Sequence, residues 1–133
     1  MRLELIPRSD VSSLQRTLAP LWAILIALVM GGLISGTTDP NLATLRRAGR
    51  HLGLAFQIID DILDATADTA TLGKTAGKDA KAGKATFVKL HGLEASRRFA
   101  TEQTKAAIDA LRQLPAEPDF LTALAANMAQ RVS

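Results

Sequence analysis

Within the stretch Phe56-Gln57-Ile58-Ile59-Asp60-Asp61-Ile62-Leu63-Asp64, three carboxylates and an amide stand close enough to act together. On a helix turning about 100° per residue, Gln57, Asp60, Asp61 and Asp64 fall within an arc of about 100°. That arc is opposite Leu52, Ile59 and Leu63. Like charges four residues apart repel, and acids near a helix C-terminus oppose its dipole by about 0.3–1 kcal/mol each. Local rules disfavour this placement, and such conflicts belong to functional sites. A hard divalent cation held by oxygens resolves the conflict. Mg²⁺ suits it best, since that ion takes one or two carboxylates, keeps waters and accepts substrate phosphate.

The segment that follows carries the opposite charge. Gly73-Lys74, Gly77-Lys78 and Gly83-Lys84 are three Gly-Lys pairs, with Lys81 between them and Asp79 as a further acid. Glycine lets backbone approach a ligand closely, and lysine acts as a point charge toward phosphate. The glycine that a Walker loop requires five residues earlier is missing before each pair. An acidic helix end and a basic glycine segment together have the composition to hold a metal–diphosphate complex. The same residues also read as a solvated helix terminus with a charged loop.

These groups need helices to position them. Asp39-Pro40 is a start signal, with Asp as N-cap and Pro at the first helical position. Leu42, Leu45, Leu52, Phe56, Ile59 and Leu63 then mark one face of a long amphipathic helix running to about Ala65. Residues 66–84 read as a loop. Helical patterning resumes near Ala85 and continues to Leu111, with Gly92 a point of bending or breakage. Pro115 and Pro118 punctuate a link before a last helix over Phe120–Arg131. With no strand pattern, the expected fold class is all-α.

Two readings fit the N-terminal region. Thr17 to Thr38 carries no charge, and Arg2, Arg8 and Arg16 precede it, as in a membrane anchor or uncleaved signal. Pro20, Gly31, Gly32, Ser35 and Gly36 shorten its strongly apolar part, which favours a core helix over Leu18–Ile34 buried on all sides. On that second reading Trp22 and Met30 are packing residues.

Composition narrows the function classes. The 133 residues are 47% apolar and only 4% aromatic, with no tyrosine and one tryptophan, which disfavours a β-sandwich and excludes a disordered chain. The absence of cysteine excludes a disulfide scaffold, thiol catalysis and Cys-ligated metals. The formal net charge of +3 is mild, and the lysines lack the interleaved aromatics of a nucleic-acid site. His51 reads as a surface or cap residue and His91 as a helix-end residue, neither as a catalytic base.

The span from Leu42 to about Arg131 resembles the C-terminal part of the trans-isoprenyl diphosphate synthases, the farnesyl/geranylgeranyl diphosphate synthase family. Phe56-Gln57-x-x-Asp60-Asp61-x-x-Asp64 is similar to that family's second aspartate-rich motif. Asp68-Thr69-x-Thr71-Leu72-Gly73-Lys74-x-x-Gly77-Lys78-Asp79 and Gly83-Lys84-x-Thr86 match its following loop in order and spacing. The resemblance implies the C-terminal part of an isoprenoid-synthase helical bundle and a prenyltransferase. The reaction it implies condenses an allylic diphosphate with isopentenyl diphosphate, with Mg²⁺ as cofactor. It implies Asp60 as principal metal ligand, with Asp61 and Asp64 beside it or acting through water. Gln57 and Lys74 would contact the allylic diphosphate, with Lys84 assisting through its charge and Phe56 near the prenyl group. It further implies a cytoplasmic homodimer, or association with a complete synthase subunit.

The departures define two parts, a diverged segment over 1–38 and a synthase-like region over 39–133. The acids before Asp60 are Glu4, Asp10 and Asp39, so the family's first aspartate-rich motif is missing. In ungapped register Ala19-Pro20 stand where the family has Lys-Thr; a three-residue shift brings Arg16-Thr17 there. The expectation is a truncated copy that does not catalyse alone, or a non-catalytic remnant that binds Mg²⁺–diphosphate or a partner.

Overall fold

In the computed structural model, residues 8–70, 86–116 and 118–132 are described. They form five helices: α1 (Arg8–Ile34), α2 (Asp39–Ala70), α3 (Phe87–His91), α4 (Leu93–Leu111) and α5 (Asp119–Gln130). No strand occurs among the described residues, so the fold is all-α, as the composition and periodicity lead one to expect.

The turn between α1 and α2 is built from backbone. Thr37 donates its N–H to the Gly32 carbonyl and Gly36 donates to Leu33, both at 3.1 Å. This paired arrangement closes a helix C-terminus at a left-handed glycine, and Gly36 has φ 69°. The Leu42 N–H then reaches the Thr38 carbonyl at 2.9 Å, so Asp39 is the first helical residue and not the cap. At its other end α2 runs to Ala70, past the Ala65 end that periodicity marks. Ala65, Ala67 and Ala70 keep the backbone helical after the apolar stripe has ended.

α2 is the axis of the fold. On one side, α4 buries Ser96, Ala100, Thr104, Ala107, Ala110 and Leu111. Packed with them are Ala48, Leu52, Ile58, Ile59 and Ile62 of α2. Ala125 of α5 and Val132 close the end of this core. The two buried hydroxyls stay within their own helix: Ser96 donates to the Gly92 carbonyl at 2.6 Å and Thr104 to Ala100 at 2.8 Å. The patterning over 85–111 is divided at Gly92, whose φ of 82° is the left-handed conformation that only glycine adopts readily.

On its other side α2 receives α1 through bare backbone. A Cβ added at Gly53 would stand 2.9 Å from Leu21 Cα, and one at Gly49 would stand 3.0 Å from Leu25 Cα. The two helices therefore touch main chain to main chain. This corrects the expectation of a helix buried on all sides. Trp22 (53% exposed), Ile26, Met30, Leu33 and Ile34 (81%) lie open on the far side of α1, which meets no other described helix. Trp22 and Met30 are thus half-exposed and not core. Among the described residues no helix is long and apolar enough to cross a membrane.

Candidate functional site

The C-terminal half of α2 has two edges with different fates. Asp60 and Asp64, one turn apart, are both exposed. Beside Asp60, a cleft of about 30 Å³ is lined by Phe56, Ile59 and Leu63 of α2, Met128 of α5, and Arg131. Phe56 is half-buried there, so the wall next to the exposed acid is apolar.

Asp61 lies on the other edge, only 5% exposed. Its Oδ2 accepts the backbone N–H of Phe87 at 2.9 Å, and its Oδ1 accepts Gln57 Nε2 at 3.2 Å. The single face of three acids read from the helical wheel is therefore split. The reason is tertiary: α3 returns to α2 at this point, and the Phe87 side chain packs on the cluster of Ile58, Ile59 and Ile62. Residue 61 stands about 100° round the helix from residue 60, and that rotation carries it under α3. Gln57 follows Asp61 and not the exposed edge.

α3 is held by more than Asp61. Thr86 caps it, its hydroxyl accepting the Lys89 N–H at 3.2 Å. The Phe87 ring lies tilted against His91 with centroids 4.5 Å apart, and meets Phe99 of α4 edge-on at 5.3 Å. His91 is thus the helix-end residue expected of it. His51 is half-buried, its Nδ1 2.7 Å from Gln103 Oε1, and so ties α2 to α4. A second tie runs from Arg47 to Gln113.

Lys74 and Lys84, with Gly73, Gly77, Lys78, Asp79, Lys81 and Gly83, lie outside the described residues. No group of three or more His, Cys, Asp or Glu placed to hold a metal occurs among the described residues. Asp60 and Asp64 nevertheless fit the donor chemistry of Mg²⁺, which needs only one or two carboxylates when water and phosphate complete its shell. Arg131 is the residue that sequence reading missed. It joins the cleft from the far end of the chain, and no local signal links it to Asp60.

A sequence profile described as polyprenyl synthetase matches residues 22–128. Over 91 residues the chain is 46% identical to heterodimeric geranylgeranyl pyrophosphate synthase large subunit 2 of Arabidopsis thaliana, covering 68% of this chain and 24% of that protein. It is 42% identical over 106 residues to a chloroplastic geranylgeranyl pyrophosphate synthase of Catharanthus roseus, covering 79% and 30%. Chloroplastic geranylgeranyl pyrophosphate synthase 11 of Arabidopsis thaliana is 44% identical over 104 residues, covering 78% and 28%. The chain spans less than a third of the length of these relatives.

Proposed function

Since the chain belongs to the polyprenyl synthetase family, we propose that it carries the diphosphate-holding part of a trans-prenyltransferase site. The reaction would join an allylic diphosphate to isopentenyl diphosphate. The observation that carries this reading is the exposed Asp60–Asp64 edge beside the cleft at Phe56.

Asp60 and Asp64 would hold Mg²⁺, which when bound would supply charge neutralisation for a leaving diphosphate. Phe56, Ile59 and Leu63 offer an apolar wall next to Asp60. Once completed, that wall would keep water from a carbocation and strengthen the electrostatic contacts near it. Lys74 and Lys84 would add point charges toward the diphosphate. No side-chain nucleophile is required, because the alkene of the second substrate attacks the cation.

Between the described residues the cleft measures about 30 Å³, space for water and not for a prenyl chain. On this reading a second copy or a complete synthase subunit would complete the hydrocarbon wall. The chain on its own is therefore expected to bind Mg²⁺–diphosphate without condensing substrates. Incubation with labelled isopentenyl diphosphate, an allylic partner and Mg²⁺ should give no product on chromatography; product abolished by Asp60→Ala would contradict this. Thermal unfolding tests the binding itself. Mg²⁺ with inorganic diphosphate should raise the midpoint, by about 2.7 kcal/mol of stability at a hundred times the Kd. Asp60→Ala should lose that rise. No rise in the unaltered chain, or an equal rise in the variant, would overturn the reading.

A further inference from the structure

The geometry points to Asp61 as a positioning residue. Its buried carboxylate clasps the first residue of α3 to α2, and thereby sets where the chain carrying the Gly-Lys pairs rejoins the helix that carries Asp60 and Asp64. The consequence for ligand binding rests on the function proposed above; the clasp itself does not.

Three observations build the clasp. Both oxygens of Asp61 are engaged, one by the Phe87 N–H at 2.9 Å and one by Gln57 Nε2 at 3.2 Å, in a residue only 5% exposed. The first-turn amides of a helix have no partner within it. Here Asp61 takes the amide of Phe87 and the Thr86 hydroxyl takes that of Lys89. The same residue, Phe87, also inserts its ring against Ile58, Ile59 and Ile62. Backbone and side chain of one residue are thus both held by the turn of α2 around Asp61.

The position in the chain gives the clasp its meaning. Lys84 precedes Thr86 by two residues, and Asp61 directly follows Asp60. Neighbouring acids on one helix thereby divide the work: Asp60 faces the cleft and Asp61 faces inward to the returning chain. A carboxylate suits the inward task, because a hydrogen bond to an ionised acceptor is about twice as strong as a neutral one. With both oxygens engaged in this way, Asp61 is not a member of the exposed acid edge.

Amide hydrogen exchange and thermal unfolding of the full chain separate this role from metal ligation. In the unaltered protein the Phe87 amide should exchange about 10- to 100-fold more slowly than Val88, which stands in the same open first turn. Asp61→Ala should remove that difference while the amides of Ile58 and Ile62 stay protected. Asp61→Asn retains an oxygen acceptor for Phe87, and Gln57 can turn its amide to match. It should keep the Phe87 protection and also keep the midpoint rise given by Mg²⁺ with inorganic diphosphate. Asp60→Asn should keep the protection and lose the rise. Should Asp61→Ala fail to fold, the unaltered chain and Asp61→Asn still decide the matter. Equal exchange at Phe87 and Val88 in the unaltered chain would overturn the clasp. So would an Asp61→Asn variant that keeps Phe87 protected yet loses the rise, because Asp61 would then act on the metal. Absence of the rise in the unaltered protein would count against the proposed function alone, leaving the exchange data to judge the clasp.

Discussion

α2 is gripped on both sides, but the two seams are made differently. Toward α4 the contact is a layered core of Ile58, Ile62, Ala100, Ala107 and Leu111, with polar ties at its margin from His51 to Gln103 and from Arg47 to Gln113. Toward α1 the contact is backbone on backbone at Gly49 and Gly53, and the opposite face of α1 stays open from Trp22 to Ile34. The α4 seam draws its stability from apolar volume removed from water. The α1 seam needs bare glycine at Gly49 and Gly53, with Leu21, Leu25 and Leu28 of α1 closing over them and Ile24 packing against the cluster of Leu52. One apolar composition thus yields two kinds of interface, and only at the second does a helix keep an open apolar face.

Isoleucine placed on either side of this divide gives the largest expected contrast. Ile62 is 1% exposed and Ile26 is 56% exposed. Ile62→Ala should destabilise the fold by about 2–5 kcal/mol, the usual range for emptying a packed site. Ile26→Ala should change stability by less than about 0.5 kcal/mol, as surface substitutions do. Urea unfolding midpoints at constant slope measure both. A comparable loss at Ile26 would break the comparison, because it would mean that another molecule covers the open face of α1.

Glycine provides the smaller contrast. An added Cβ at Gly31 meets nothing within 4 Å, whereas at Gly53 it stands 2.9 Å from Leu21 Cα. Gly31→Ala should stabilise the chain by about 0.5–1 kcal/mol through helix propensity alone. Gly53→Ala gains the same propensity but forces α1 outward, for a net loss of about 1–2 kcal/mol. Thermal midpoints of the two variants should therefore move in opposite directions. A stabilising Gly53→Ala would show that the α1 seam yields without resistance.

The residues themselves determined the helical class, the long amphipathic span of α2 and the break at Gly92. Each is a local property: apolar spacing near 3.6 residues, a start signal near Asp39, and a glycine where the backbone turns left-handed. The candidate acids were legible from like-charge spacing, Asp60 and Asp64 standing four apart on one helix; the dipole argument fell away, because α2 runs on to Ala70 and leaves them short of its last turn. What the tertiary structure alone decided is which neighbour covers each edge. A helical wheel puts Asp60, Asp61 and Asp64 on one face, but it does not contain α3, which lands on Asp61 and leaves the other two exposed. Nor does it contain the C-terminal turn that brings Arg131 to the cleft of Asp60. The uncharged run from Thr17 to Thr38 signalled a helix to be buried, yet burial requires partners on every side. Among the described helices, α2 alone lies against it. Periodicity belongs to one helix and is carried by its sequence; coverage belongs to pairs of helices, and appears only when residues tens of positions apart are brought together.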